Sequence, residues 1–282
     1  MLSLICCSQY ETVPEQLAQN VQDTIGTDYE WIWIYNQNNK YSIFEAYNIG
    51  VAKANGNILC FMHQDLEFQS YEWGNEVERL LFDKNIDACA VAGTDYYRKS
   101  PSYYPCGRGH NKINVIQSTD SGDVKWQDYD SAERLAVFDG MWFCIKKHCF
   151  EKIRFDDSLY SGFHFYDIDI ATQLWVNNMS VYTLPNVWIK HFSEGNPNVE
   201  WLRNAFKFYG KWKCFMPLQL RKIEHNEQML LECQALYSAL RNCIRYREWD
   251  LLKLWFKIAG EVLETQSMVA LFKVLKVHMW KI

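Results

Sequence analysis

The chain has 282 residues, of which 49% are hydrophobic and 22% are charged, so its composition predicts a folded protein with a substantial buried core and argues against a disordered chain. The formal net charge of −5 argues against the broad basic surface on which nucleic-acid binding depends. No run of residues approaches the about 18 apolar residues that a membrane-spanning helix requires.

Ten cysteines indicate the compartment in which the protein works. No two of them have the two-residue gap of a zinc knuckle, and Cys6, Cys60, Cys89 and Cys144 lie inside apolar runs, where a free thiol behaves as a small hydrophobic side chain. Residues 1–10 lack the basic region and the long apolar stretch of a signal peptide. We therefore expect free thiols and a cytoplasmic location.

The first third of the chain alternates apolar runs with amphipathic segments. Strands are predicted at 2–6, 31–35, 58–62 and 88–92, and helices at 13–25, 42–56 and 76–82. This alternation predicts a mixed α/β fold around a largely parallel sheet that is flanked by helices. Ligands of such sheets bind beyond the carboxyl ends of the strands, and Ser8, Asn36 and Asp65 each follow a strand.

The next segment, 93–139, is long, polar and rich in Tyr, Gly and Ser. Only 113–116 has the pattern of a strand, so we expect most of the segment to form a loop. Part of it, with Arg98 and Gly107-Arg108-Gly109, is a candidate for closing over a bound donor, because glycines permit a hinge and arginine pairs with phosphate. An ordinary surface excursion is the alternative.

The remaining chain has two parts. Strands are predicted at 141–145, 181–184 and 187–189, and a helix begins at Asp167. After Pro197 the pattern becomes helical, so we predict a catalytic domain at 1–197 and a helical region at 198–282. Basic residues are interleaved with Trp and Phe at 245–282. We expect 251–263 to pack on the catalytic domain or in a homodimer, and 268–282 is a candidate for peripheral contact with a membrane.

Acidic residues occupy positions that suit two chemical tasks. Asp65, after the strand at 58–62, can hold a divalent cation against phosphate, although an Asp there also commonly caps a helix or makes a turn. Asp167 and Asp169 begin a helix, whose positive end keeps a carboxylate ionised for use as a general base. Capping explains Asp169 better than Asp167. His191, a common type of turn residue, can complete the cation site of Asp65.

Several motifs then resemble one family in their order along the chain. The stretch Ala46-Tyr47-Asn48-Ile49-Gly50, the turn Ala54-Asn55-Gly56 and the strand leading to Asp65 resemble family 2 glycosyltransferases, which have a GT-A fold. The sequence His-Gln-Asp at 63–65, where other members have Asp-x-Asp, resembles the streptomycin-biosynthesis-type, glycosyltransferase-like branch. Further matches lie at 138–140, 163–169 and 191–195, so the resemblance spans about 2–195.

The resemblance implies a role for each matching residue. Asp167 is implied to be the catalytic base, and Asp65 with His191 to bind Mn²⁺ or Mg²⁺ at the diphosphate. The residues implied to contact the nucleotide-sugar donor are Ser8, Asn36, Asn48, His63 and Asp139. His63 departs from the acid usual at its position, and Tyr166 replaces a Glu that often precedes the base.

We therefore predict an inverting glycosyltransferase that moves a sugar from a nucleoside diphosphate, with UDP the expected nucleotide, to a hydroxyl of a glycan or lipid-linked acceptor. Two alternatives stay open. The departure at His63 is compatible with a non-catalytic binding or scaffold protein. A sugar-nucleotide pyrophosphorylase is disfavoured, because Cys7-Ser8-Gln9-Tyr10 after the first strand lacks the glycines of a phosphate-binding loop.

Overall fold

The computed structural model describes residues 1–103, 105–107, 109–193, 195 and 197–264. The strands are β1 Leu2–Ser8, β2 Tyr29–Tyr35, β3 Ile58–Met62, β4 Leu66–Phe68, β5 Ala88–Ala90, β6 Ala92–Thr94, β7 Tyr96–Tyr97, β8 Asn111–Thr119, β9 Gly122–Gln127, β10 Val137–Phe138, β11 Trp142–Lys146, β12 Val181–Thr183, β13 Ile189–His191 and β14 Leu218–Gln219. The α-helices are α1 Glu15–Thr24, α2 Ile43–Lys53, α3 Trp73–Glu78, α4 Tyr166–Val176, α5 Val199–Trp212, α6 His225–Arg245 and α7 Trp249–Val262.

The central sheet has six strands in the order β12-β5-β11-β3-β1-β2. Strands β1, β2 and β3 are parallel, as are β5 and β12, while β11 runs antiparallel between β3 and β5. The apolar runs of β3 and β11 are fully buried, as expected for central strands covered on both faces. The predicted mixed, largely parallel sheet is confirmed.

Helices cover both faces because successive side chains of a strand point in opposite directions. On β1, Leu4 and Cys6 pack with Leu17 of α1, whereas Ile5 packs on the other face with Phe44 of α2. A capping box begins α2, in which Ser42 Oγ accepts from the Glu45 amide at 3.2 Å while the Glu45 carboxylate accepts from the Ser42 amide at 2.8 Å. The sheet therefore lies between two helical layers.

The prediction of a loop at 93–139 is wrong. This segment supplies β6 to β10, and a second sheet forms in the order β10-β6-β8-β13-β4, with β9 paired to β8. The six residues of β9 are all exposed, and most of those of β8 are only half-buried, so these strands lack the apolar pattern from which strands are predicted. Arg98, proposed for a mobile lid, is buried and donates to the Pro105 carbonyl at 2.9 Å. Arg108 lies outside the described residues, and closure over a donor stays a prediction.

Other predicted elements differ in their limits. The strand predicted at 88–92 is two strands, β5 and β6, which belong to different sheets. The helix predicted at 76–82 begins at Trp73 and ends in a π-helical turn, Arg79–Asp83, and the strand predicted at 187–189 is β13. Asp169 is not a helix cap: its buried carboxylate accepts from Lys211 Nζ at 2.9 Å and from Trp212 Nε1 at 2.7 Å.

The helical region packs on the same core as the catalytic part. Trp201 of α5, Leu236 of α6 and Trp255 of α7 belong to one buried cluster with Phe44 and Phe165. The region is not purely helical, since β14 pairs with β7. The domain limits at 1–197 and 198–282 stay a prediction. The membrane contact predicted at 268–282 lies outside the described residues, and none of the described helices is both long and apolar enough to span a membrane.

Candidate active site

The ends of strands from both sheets meet at one edge of the molecule. His63 and Asp65 follow β3, and the amide of His63 donates to the Met141 carbonyl at 2.9 Å, which places residues 139–141 beside it. His191, the last residue of β13, pairs with Leu66 on one side and with Gln117 of β8 on the other. Residues that are distant in sequence therefore converge here.

Three side chains form a compact group of nitrogen and oxygen ligands. His63 Nδ1 lies 3.4 Å from His191 Nε2, and Asp65 Oδ1 lies 3.9 Å from the former and 3.8 Å from the latter. One ligand atom from each residue lies within 4.8 Å of the others. Two imidazoles and a carboxylate at this spacing suit a divalent transition-metal ion.

The tautomer of His63 follows from its neighbour. Tyr166 uses its single hydroxyl proton to donate to the Gly140 carbonyl at 3.0 Å. With that proton on the Gly140 side, the Tyr166 oxygen accepts from His63 Nε2, which lies 2.8 Å away. In this tautomer the proton of the neutral ring is on Nε2, and the lone pair of Nδ1 faces His191 and Asp65.

The tautomer of His191 follows in the same way from Gln117. Gln117 Nε2 lies 3.1, 3.2 and 3.0 Å from the carbonyl oxygens of Ser118, His191 and Ser193, which its two N–H groups can face and Oε1 cannot, so its amide orientation is determined. Gln117 Oε1 consequently accepts from His191 Nδ1 at 3.3 Å. The lone pair of His191 Nε2 then faces His63 and Asp65, and the Ser193 hydroxyl, 3.3 Å away, can donate to it.

The chemistry of His63, Asp65 and His191 is that of ligands for a cation. Burial and the neighbouring His191 lower the pKa of His63 to about 4, although Asp65 acts in the opposite direction, so the ring is neutral near pH 7. Metal-binding histidines characteristically donate their second ring nitrogen to an oxygen, which orients the ligating lone pair. Both imidazoles have this outer partner, the Tyr166 hydroxyl and the Gln117 amide oxygen.

Two further carboxylates, Asp139 and Asp167, line one cavity together with His63 and His191. Asp167, in the first turn of α4, accepts from the amide of Ile168 at 2.8 Å. Loss of hydration and then the negative charge of Asp139 raise the pKa of Asp167 to about 7, against the lowering effect of backbone hydrogen bonds. Burial also raises the pKa of Asp139, which accepts from the Met141 amide at 2.9 Å. A carboxylate with a pKa near 7 is suited to general-base catalysis.

The cavity has a volume of about 660 Å³ and combines these polar groups with aromatic walls. His63, Asp139, Asp167 and His191 line it. The aromatic residues around it are Tyr103, Trp126, Phe163, Phe165, Tyr166 and Trp201. Asp65 lines a second cavity of about 790 Å³, together with residues of α1. The cation ligands therefore stand at the boundary between two cavities.

A sequence model described as the glycosyltransferase-like family matches residues 3–211, which is well over half of the chain. The chain belongs to this family. No curated protein matches it in sequence.

Solved structures place this glycosyltransferase-family protein in the GT-A fold. GalNAc-T7 with UDP, GalNAc and Mn²⁺ matches at a TM-score of 0.50 and 11% identity, over 73% of this chain and 46% of that chain. A mannosyltransferase, PcManGT from Pyrobaculum calidifontis, with GDP-Man and Mn²⁺ matches at a TM-score of 0.47 and 12% identity, over 99% of this chain and 80% of that chain. A197 from STIV matches at a TM-score of 0.42 and 13% identity, over 68% of this chain and 86% of that chain. This chain therefore corresponds to less than half the length of GalNAc-T7.

Three of the residues predicted to contact the donor in this glycosyltransferase-family chain, Ser8, Asn36 and Asn48, bond to other parts of the protein. Ser8 Oγ donates to Gln64 Oε1 and accepts from the amide of Tyr10 at 3.0 Å, which links the end of β1 to the residues after β3. The side-chain amide of Asn36 bonds to the Tyr41 backbone: its Oδ1 accepts from the Tyr41 amide at 2.8 Å, and its Nδ2 donates to the Tyr41 carbonyl at 3.0 Å. Asn48 donates to the Phe155 carbonyl at 2.8 Å. The three residues lie outside the described walls of the 660 Å³ cavity, and their donor contacts stay predictions.

Two residues of the candidate site, Gln117 and Tyr166, have no predicted role in the sequence analysis. Gln117 was missed, because the segment that contains it was predicted to be a loop. The sequence analysis notes Tyr166 only as a departure from the family pattern. The neighbouring glycine, Gly140, is the feature of the sequence that could have indicated its role. A Cβ at position 140 would overlap the Tyr166 hydroxyl, so the hydrogen bond that orients His63 requires a glycine there.

Proposed function

We propose that the protein transfers a sugar from a nucleoside diphosphate to an acceptor hydroxyl, with Asp167 as the general base and a cation held by His63, Asp65 and His191. The observation that carries this proposal is the convergence of two imidazoles with the Asp65 carboxylate, both imidazoles also lining the cavity that contains Asp167. One chain thus supplies ligands for a cation at a diphosphate and a base for an incoming hydroxyl.

The cation proposed is Mn²⁺ or Mg²⁺, and the two imidazoles favour Mn²⁺, since Mg²⁺ prefers oxygen ligands. When bound, it supplies positive charge for the departing diphosphate. His63, Asp65 and His191 would hold it. We propose UDP as the nucleotide in line with the GalNAc-T7 complex with UDP and Mn²⁺, a protein of the same fold.

Asp167 is proposed to take the proton of the acceptor hydroxyl as the oxygen attacks the anomeric carbon. The Ile168 amide holds one carboxylate oxygen, which orients the group for this transfer. We propose inversion at the anomeric carbon on the resemblance to family 2 glycosyltransferases, and a single base at the acceptor is compatible with such a one-step displacement. Asp139 would act on the base through its charge, which favours the protonated form of Asp167.

The acceptor is proposed to be a glycan, free or linked to a lipid. Sugar rings present C–H faces that pack on aromatic side chains, and Trp126 and Phe163 line the cavity while remaining 51% and 47% exposed. Tyr103 and Trp201 stack at 4.1 Å between ring centroids and form a further wall.

Finer assignments are also proposals. The His-Gln-Asp motif supports the streptomycin-type branch, and the ten free cysteines support a reducing, cytoplasmic compartment. The side chains of Leu230, Ile244, Trp249 and Phe256 on α6 and α7 are exposed, which supports contact of the helical region with a membrane surface or with a second copy of the chain.

A binding protein without activity is the second candidate, and His63 in place of an acid is the feature that favours it. Both candidates predict stabilisation by a nucleotide sugar, so the decisive assay is release of nucleoside diphosphate from a panel of donors, with Mn²⁺ or EDTA. We expect Mn²⁺-dependent release. Binding of a donor without any release or transfer, with every acceptor tested, would support the second candidate.

A further inference from the structure

A second group of metal-binding side chains lies at the opposite end of the central sheet. Asp87 directly precedes β5, while His148 and Cys149 belong to a short 3-10 helix, Lys147–Glu151, that follows β11. Trp142 at the start of β11 pairs with Met62, and Lys146 at its end pairs with Ile58. The length of β11 thus separates this group from the catalytic cavity, which at about 3.3 Å per residue is on the order of 15 Å.

The three side chains offer a carboxylate, an imidazole and a thiol at the spacing that a metal ion requires. One ligand atom from each of Asp87, His148 and Cys149 lies within 4.8 Å of the others, and His148 Nε2 is 3.9 Å from Cys149 Sγ. Tetrahedral zinc with ordinary bond lengths to sulfur and nitrogen places these two atoms about 3.6 Å apart. A shift of a few tenths of an ångström brings this pair to ligand spacing.

Asp87 is held in place by hydrogen bonds that leave one carboxylate oxygen for a ligand role. Its Oδ2 accepts from the Ser180 amide at 2.7 Å and from the Ser180 hydroxyl at 3.1 Å. Its carbonyl accepts from the Lys146 amide at 2.9 Å, so its backbone is tied to the end of β11. Hydrogen bonds of this kind to a ligating carboxylate orient the ligand in metal sites.

Access to the site is through His148. Cys149 is fully buried, but His148 is exposed and its Nε2 is close to the Cys149 sulfur. An ion entering beneath the imidazole would reach all three ligands and retain a position for water. The Cys149 thiol would release its proton to solvent when the metal–sulfur bond forms.

We propose that Asp87, His148 and Cys149 form a zinc site distinct from the catalytic one, which ties the turn after β11 to the start of β5. Thiolate and imidazole ligands select Zn²⁺ over Mn²⁺ or Mg²⁺, whereas the catalytic group has no sulfur ligand. The same chain therefore has two cation sites of different chemical preference. This inference does not depend on the proposed transferase activity.

Co²⁺ is the probe that distinguishes the two sites, because only a thiolate ligand produces a sulfur-to-cobalt charge-transfer absorption. The full-length protein, reduced and freed of metal, is titrated with Co²⁺ and then with Zn²⁺. We expect one thiolate-bound Co²⁺ per chain, displaced by Zn²⁺, and a Zn²⁺-dependent rise in Tm. The charge-transfer band should disappear in Cys149→Ser. In His148→Ala the Co²⁺ affinity, measured from the same band, should fall at least tenfold.

Two controls make the outcome decisive. Cys214→Ser removes an exposed cysteine far from the cluster in sequence and should leave the band unchanged. His148→Ala changes an exposed side chain, so it tests the site even if Cys149→Ser fails to fold. Absence of a thiolate band in the wild type, or a band unchanged in His148→Ala, would overturn the proposal and leave a buried thiol beside a carboxylate.

Discussion

His63 Nδ1 and His191 Nε2 face each other 3.4 Å apart, and the outer nitrogen of each ring has an oxygen partner, the Tyr166 hydroxyl or Gln117 Oε1. Two lone pairs and the Asp65 carboxylate in one place repel one another unless a cation or a proton lies between them. The hydrogen bonds that the Tyr166 hydroxyl and Gln117 Oε1 accept from the two rings favour this arrangement. The first two predictions test it.

Gln117→Leu should weaken Mn²⁺ binding by about 10- to 100-fold, which is the usual cost of losing an outer partner of a metal ligand. The substitution removes the acceptor that holds the His191 Nδ1 proton. Mn²⁺ affinity, measured by electron paramagnetic resonance of the free ion, gives the result. Thr119→Val, on the same strand, is the control and should bind Mn²⁺ as the wild type does. Equal affinities for all three proteins would contradict this role of Gln117.

Asp65→Ala should remove the dependence of nucleoside-diphosphate binding on Mn²⁺, since the only carboxylate of the ligand group is lost. Calorimetric titration of UDP with Mn²⁺ or EDTA measures the effect. The wild type should bind more tightly with Mn²⁺, and the variant should bind equally weakly in both. If EDTA has no effect on the wild type, the cation assignment is wrong.

Asp167→Asn should lower sugar transfer by roughly 10²–10⁴-fold and leave donor binding intact, because it removes a general base. The pKa of Asp167 is raised to about 7, so its ionised form becomes populated as pH rises through that value. The wild-type rate should therefore increase between about pH 6 and 8. This limb should be absent from the pH profile of the variant. A wild-type limb that survives in Asp167→Asn would assign the base elsewhere.

The same shift has a consequence for stability. Asp167 holds its proton more strongly in the folded protein than in the unfolded chain, whose Asp pKa is about 3.9. The contribution of Asp167 to the free energy of unfolding therefore becomes progressively less favourable as pH rises from about 4 to about 7, and it stays unfavourable at higher pH. Asp167→Asn should raise Tm relative to the wild type at pH 8 and not at pH 4, as thermal unfolding would show.

Trp126→Ala and Phe163→Ala should each raise the acceptor KM more than the donor KM, because these exposed rings line the cavity as surfaces on which an acceptor sugar can pack, although the Phe163 ring also lies 5.4 Å from the His63 ring between centroids. Steady-state kinetics with each substrate varied in turn measures both constants. Tyr71→Ala, which removes a 74% exposed ring outside the cavity, is the control. A change confined to the donor KM would place the rings in the donor site instead.

Lys211→Met should lower the free energy of unfolding by about 3 kcal/mol or more, since it leaves the buried Asp169 carboxylate without its cation. Burial raises the pKa of Asp156, but bonds from Lys211 and Ser158 outweigh it and lower the pKa to about 2, so Lys211 neutralises two acids. Urea denaturation measures the loss. Lys253→Met, which breaks an exposed pair with Asp250, should cost less than about 1 kcal/mol.

Local chemistry made much of the GT-A core predictable. The apolar runs of β1, β3 and β11 are buried as their composition requires, and the capping box of Ser42 and Glu45 begins α2 where its residues stand in the sequence. Because parallel strands end at the same edge, Asp65 could be placed at that edge from order along the chain alone. The motif at 163–169 likewise located Asp167 at the start of a helix.

Pairing between distant segments decided the rest. Gln117 meets His191 across 74 residues, and Tyr166 meets His63 across 103. The strands that bring Gln117 there are joined by backbone hydrogen bonds, which every residue type except proline can make, and the side chains of β9 remain in solvent. Such pairing leaves no apolar periodicity in the sequence. The sequence therefore determined which residues could bind a cation or a proton, whereas only the tertiary structure decided which neighbours orient them.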